Sequence, residues 1–272
     1  LKVFISADIE GVSGVVHGEH TMREGREHDY ARMLMTKEVN ACVLGALEAG
    51  ADKVIVNDSH GTMRNIYHEQ LHEKAELILG APKKLAMMEG INHNFDAALF
   101  VGYHTKMGSQ GVLNHTFNGR VIRSIEVNGI ELGEFGLNAL VAGYFNVPVV
   151  FVSGCDLVAK EAKALIPSIH QTIVKQTINR TTALNTHPVL VRELIKEDTK
   201  TALLACKEIS PYRIDSPYTV KMTFLNTGQA DAVEILPYVK KNGPLGISFV
   251  CKDILECYQL IRSSIMIAGS IS

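Results

Sequence analysis

The chain has 272 residues, of which 46% are hydrophobic and 21% charged, the balance of an ordinary globular protein with a sizeable core rather than a disordered or fibrous one. Its 27 Lys and Arg against 29 Asp and Glu give no global attraction toward nucleic acid or acidic membranes, so a small substrate is expected. Five cysteines (Cys42, Cys155, Cys206, Cys251, Cys257) form no C-x-x-C pair, which argues for reduced thiols and against a disulfide scaffold or a thiolate zinc site.

Val3 to Ala7 is a short apolar run ending in carboxylates, with no basic segment or cleavage site before it, and no later stretch approaches the roughly 18 apolar residues of a membrane span. A cytoplasmic protein without membrane partners is expected. From about Glu24 to Ala49, Met33, Thr36, Asn40, Val43 and Leu47 recur at helical spacing and Gly50 supplies a stop. Val54 to Val56 then gives a second strand, so strand, helix and strand make a parallel crossover. Arg64 to Leu79 is expected to be helical only in part. Ala97 to Val101 and Val147 to Val152 complete four buried strands.

Between the last two, Val121 to Val127, Asn128-Gly129 and Ile130 to Leu132 read as a hairpin, because Asn-Gly favours the turn that joins antiparallel strands. Glu134 to Tyr144 reads as a helix. Thr186 is expected to cap a long helix with Pro188 in its first turn, followed by strands at Tyr218 to Leu225, Ala232 to Leu236 and Leu245 to Val250, and a closing helix from Ile254 to Ile267. The fold class is therefore α/β, with a mainly parallel sheet flanked by helices and a smaller C-terminal α+β domain. A catalytic domain over residues 1–160 and a second domain over 161–272 are expected, with a soft boundary.

Ligands of such sheets collect at the carboxyl ends of the strands, which is where polar residues cluster. Asp8-Ile9-Glu10-Gly11 follows the first strand, Asn57-Asp58-Ser59-His60 the second, and Gly102-Tyr103-His104 the third. Two carboxylates two residues apart on one strand share a face and repel unless a cation lies between them. Carboxylate and imidazole donors without thiolate suit zinc or another divalent ion, and such a centre polarises a carbonyl and activates water. Hydrolysis is the chemistry implied. Glu134 could add a carboxylate, or serve only as a charge at a helix N-terminus.

A rival pattern, His68-Glu69-Gln70-Leu71-His72, matches the H-E-x-x-H of helical zinc peptidases, yet its surroundings are short and polar and it is read as accidental. No phosphate-binding glycine motif is present. No arginine adjoins a ligand motif, which weighs against the alternative of a two-metal phosphoesterase. A non-catalytic ring stabilised by metal is the other alternative.

Asp8-Ile9-Glu10-Gly11-Val12-Ser13-Gly14, Asn57-Asp58-Ser59-His60, Gly102-Tyr103-His104, Asn114-His115, Gly133-Glu134-Phe135-Gly136-Leu137-Asn138-Ala139, Val174-Lys175-Gln176-Thr177-Ile178 and Asn226-Thr227-Gly228-Gln229-Ala230, in this order, resemble the M55 family of D-aminopeptidases over nearly the whole chain. The resemblance implies a metallo-aminopeptidase that removes the N-terminal residue of short, D-residue-containing peptides. It implies two zinc ions per subunit on Asp8, Glu10, His60, His104 and Glu134, and a homodecamer of two stacked pentameric rings. His115 falls on the family's catalytic nucleophile; from the residue chemistry alone an acid/base role is favoured, since an imidazole titrates near neutral pH. One departure is Gly154-Cys155-Asp156 where the family commonly carries Gly-Asp-Asp, which leaves second-sphere electrostatics and substrate preference open.

Overall fold

A computed structural model describes residues 1–271. The chain enters on β1 (Lys2–Ala7), buried from Val3 onward, passes a short helix α1 (Gly18–Thr21) into the long α2 (His28–Glu48), and returns on β2 (Lys53–Asp58). β1 and β2 run parallel in register from Lys2↔Lys53 to Ala7↔Asp58, the crossover expected from the sequence. β3 (Ala75–Ile78) lies outside β2, and β4 (Ala97–Tyr103) pairs with the other edge of β1. The hairpin follows as β5 (Ile122–Val127) and β6 (Ile130–Glu131), with Asn128 and Gly129 in the left-handed conformations its turn requires (φ 51° and 80°).

Helix α3 (Glu134–Tyr144) leads to β7 (Val149–Cys155), α4 (Asp156–Leu165), β8 (His170–Asn179), β9 (Thr182–Asn185) and α5 (Pro188–Leu204). The last elements are β10 (Tyr218–Phe224), α6 (Thr227–Val233), β11 (Lys240–Lys241), β12 (Gly246–Cys251) and α7 (Ile254–Gly269). Among the described residues the strands form a seven-stranded sheet in the order β3-β2-β1-β4-β7-β8-β9, parallel except for β9, and an antiparallel five-stranded sheet in the order β11-β12-β10-β5-β6. The α/β class with an added antiparallel sheet is as the sequence implied.

Sheet membership crosses residue 160 in both directions. β5 and β6 lie before it but pair with β10, whereas β8 and β9 lie after it and extend the parallel sheet. Arg64 to Leu79 is helical only in part, in one 3-10 turn at His68–Gln70, and then enters β3. Two local expectations are corrected. Ala232 to Leu236 begins inside α6 and is not a strand, because Asn226 and Gln229 form a reciprocal capping box that starts a helix there. The cap of α5 is His187, whose ring nitrogen accepts from the Val189 N–H, rather than Thr186.

All five cysteines are free and buried, and among the described residues no helix is long and apolar enough to cross a membrane. What matters for function is the order around β1. The chain moves outward from β1 to β2 on one side and later to β4 on the other, so the loops after β1 and β4 diverge at a topological switch point.

Candidate metal centre

The loops after β1 and β4 touch backbone to backbone. The Gly11 N–H donates to Gly102 O at 2.8 Å, and a Cβ at Gly11 would lie 2.1 Å from Tyr103 O, so only glycine admits this approach. It brings Asp8 at the end of one strand beside His104 at the end of the next, with Asp8 Oδ2 3.5 Å from His104 Nε2. The other oxygen, Asp8 Oδ1, lies 3.2 Å from His60 Nδ1 in the loop after β2. One carboxylate thus meets two histidines, each through a different oxygen. Glu10 Oε2 lies 3.0 Å from the same His60 nitrogen.

Glu134, the first residue of α3, completes the far side, with Oε1 3.3 Å from His104 Nε2 and 3.6 Å from His115 Nε2. The Phe117 N–H also holds that oxygen, at 2.6 Å. The His104 and His115 rings stack with centroids 4.1 Å apart. Each of them meets a backbone carbonyl through Nδ1, His104 at Thr105 O (3.0 Å) and His115 at Leu113 O (2.9 Å). A protonated Nδ1 leaves Nε2 with its lone pair turned into the pocket, the tautomer a metal ligand or a base needs. His60 uses its ring the other way, with Nε2 on Thr21 O at 2.8 Å and Nδ1 toward the carboxylates.

The pocket is electrostatically unfinished without a cation. Burial and the neighbouring Glu10 push the Asp8 carboxyl up to about 8. Burial also acts against ionised Glu10 and Glu134, but the adjacent imidazoles outweigh it and hold both below the usual carboxylate range, Glu134 at about 2. His60 and His104 are raised, their burial outweighed by these carboxylates. Among the described residues Asp8 Oδ2, Glu10 Oε2 and His104 Nε2 are buried with no hydrogen-bond partner, and these residues can present one donor atom each within 4.8 Å of one another. Each unpaired buried group costs roughly 1–3 kcal/mol, a cost that a shared divalent ion removes. The donor set therefore fits metal. His104, His115 and Glu134 form a second such group, so geometry alone also admits His115 as a ligand.

Comparison with known proteins agrees with this chemistry. A family model described as D-aminopeptidase, peptidase family M55, matches residues 1–263. The chain belongs to the M55 family of D-aminopeptidases. A D-aminopeptidase of Bacillus subtilis (strain 168) is 38% identical over 260 residues, covering 95% of this chain and 94% of that one. A solved structure, described as the Zn-dependent D-aminopeptidase DppA from Bacillus subtilis, a self-compartmentalizing protease, superposes with a TM-score of 0.97 at 37% identity. That match spans 99% of this chain and 98% of the other.

Within this family fold, the H-E-x-x-H stretch contributes to neither the cavity nor a candidate metal group among the described residues. His68 and Glu69 are exposed on the 3-10 turn, and the His72 ring accepts from the Lys74 N–H. Asp58 also turns away. Its carboxylate takes the N–H groups of Asn65 and Ile66, and the Asn65 amide in turn holds His60 O, so Asp58 shapes the loop that carries His60. At the noted departure, Cys155 is buried at the N-cap of α4, and Asp156 accepts from the Thr177 N–H.

Two functional positions had no reading in the sequence. Lys175 was part of a motif without a role; on β8 it is buried, and its Nζ donates to Glu10 O, Val12 O and Val15 O at 2.6, 2.8 and 2.6 Å. It fastens the loop that presents Glu10. Burial lowers its ammonium to about 8, against the pull of nearby Cys155, Glu38 and Glu10. Arg262 of α7 lines the same cavity as Asp8, His60, His115 and Glu134, a space of about 110 Å³. No arginine adjoins a ligand motif in sequence, yet the fold brings one to the metal pocket from the far end of the chain.

Proposed function

We infer that the protein is a zinc-dependent aminopeptidase that removes the N-terminal residue of short peptides, with preference for a D-residue. The observation that carries this reading is the convergence of three unpartnered, buried, ligand-type atoms, on Asp8, Glu10 and His104, at the switch point of the parallel sheet. Family membership across residues 1–263 supplies the reaction class and weighs against a phosphoesterase or a non-catalytic ring.

We assign Asp8, Glu10, His60, His104 and Glu134 as the residues that would hold the two zinc ions. When bound, the metal pair supplies Lewis acidity toward the scissile carbonyl and toward water. His115 is assigned to proton transfer or nucleophilic attack rather than to ligation. Its side chain is 19% exposed, against 12% or less for the donors of Asp8, Glu10, His60, His104 and Glu134, so it faces the side from which substrate arrives. Burial and the neighbouring His104 lower its imidazole below the ordinary range, which keeps it neutral and able to take a proton through Nε2. The small cavity supports short substrates.

The self-compartmentalizing relative supports an oligomer here, and we propose the same decamer of two pentameric rings, acting in the cytoplasm. Sedimentation velocity would read the assembly directly. The activity is tested with D- and L-aminoacyl nitroanilides beside p-nitrophenyl phosphate. Hydrolysis of the D-series that chelation abolishes and zinc restores is expected. Turnover of the phosphate ester alone, or of nothing, would overturn the reading.

A further inference from the structure

Arg262 is an arginine in a metal pocket, an expensive place for a fixed positive charge. Cations packed beside a dinuclear centre repel the ions it holds, so such a charge calls for a negative partner. Among the described residues Arg262 makes no ion pair or hydrogen bond; its guanidinium carbon sits 4.7 Å from the centroid of the Phe117 ring, a cation–π contact that leaves the five edge N–H donors unspent.

Its surroundings are tied to the metal site. Four residues earlier on the same face of α7, the buried Tyr258 hydroxyl donates to Asn138 Oδ1 at 2.8 Å, and Asn138 donates to the Tyr103 hydroxyl at 2.9 Å beneath the metal ligands. Phe117, under the guanidinium, is bound through its own N–H to Glu134. Phe117, which packs under Arg262, is therefore also a support of Glu134 in the metal centre, and both residues line one cavity with it.

We propose that Arg262 anchors the C-terminal carboxylate of a di- or tripeptide substrate and so makes the enzyme selective for short peptides with a free acid end. The inference rests on the aminopeptidase reading above and extends it to the opposite end of the substrate. The N-terminal residue and its carbonyl occupy the metal side. Arg262 lines the cavity that Asp8, His60, His115 and Glu134 also line, and each further residue adds at most about 3.3–3.6 Å, so a short peptide is the substrate whose carboxylate, one or two residues beyond the scissile bond, is presented beside the metal side of that cavity. Guanidinium and carboxylate meet through two parallel N–H···O bonds, the geometry that an unspent arginine fork offers. A longer peptide would have to pass an internal amide, which carries no charge, over the same cation.

The test uses the zinc-loaded full chain and matched di- and tripeptides that differ only in a free or an amidated C-terminus. One bidentate, charge-assisted contact corresponds to roughly a 10- to 150-fold preference. Wild type is expected to favour the acids by that factor in kcat/KM, chiefly through KM. Arg262→Leu should bring the acid-to-amide ratio close to one with zinc content unchanged, and Arg262→Lys should restore part of it, because an ammonium keeps the charge but not the fork. An unaltered ratio in Arg262→Leu, or equal wild-type rates on acids and amides, would overturn the anchor while leaving the aminopeptidase intact. Hydrolysis of neither peptide series by wild type would instead remove the aminopeptidase reading, and the anchor with it.

Discussion

His115 and Glu134 both lie beside His104 Nε2, at ring-stacking and 3.3 Å range respectively, yet they are assigned different work. The difference is measurable one residue at a time. His115→Ala is expected to keep two zinc ions per chain and lose about 10²- to 10⁴-fold in turnover, the worth of a proton-transfer group, whereas Glu134→Ala should also lose zinc. Metal analysis beside steady-state kinetics separates the two, and loss of zinc in His115→Ala would make it a ligand. A rapid-quench mass spectrum showing an acyl-imidazole on His115 would select the nucleophile over the acid/base role. The double variant His68→Ala/His72→Ala serves as a control, expected to keep both metal and activity because neither ring lines the cavity or joins a candidate metal group among the described residues.

At the scale of elements, the loop after β1 is the least independent part of the site, since Glu10 is presented by backbone that Lys175 of β8 grips at three carbonyls. Lys175→Met would leave those carbonyls without their donor inside the core. Each broken charge-assisted bond corresponds to roughly 1.5–3 kcal/mol before relaxation, so a clear fall in melting temperature is expected. Zinc affinity should fall with it, because Glu10 loses its fixed position; competitive titration with a chromogenic chelator would read this, and wild-type affinity in the variant would remove Lys175 from the support of the centre. The strand ends that carry Asp8, His60 and His104 were legible in the sequence, because buried parallel strands are apolar runs and their carboxyl ends converge by topology. Helix α3 was legible too, as a compact apolar segment before the strand at Val149. Lys175 was not, because β8 alternates too weakly to read as a strand. Arg262 was not, because its neighbours in space come from loops more than a hundred positions earlier, and no local pattern records that contact.

Across the whole molecule the proposed centre is where the two sheets are joined. β1 and β4 of the parallel sheet deliver Asp8 and His104, while the segment from His115 to Phe117 leads into β5 of the antiparallel sheet, whose closing helix α7 brings Arg262 to the same cavity. A metal ion there ties together carboxylates that otherwise repel, so its removal should be felt by both sheets rather than by one loop. Zinc present at a hundred times its dissociation constant adds about 2.7 kcal/mol of stability by mass action. At about 2–4 °C per kcal/mol for chains of 150–250 residues, the chelated protein should melt on the order of 5–10 °C lower, and zinc should restore the difference. Hydrogen exchange refines the test. The N–H groups of Gly11 and Phe117, bound to Gly102 O and Glu134 Oε1, should lose protection on chelation, while the central residues of β1 and β4 keep theirs. If the chelated protein carried less than about a tenth of a metal per chain and still melted at the holoprotein's temperature, the cluster would not be the site that binds the two sheets together.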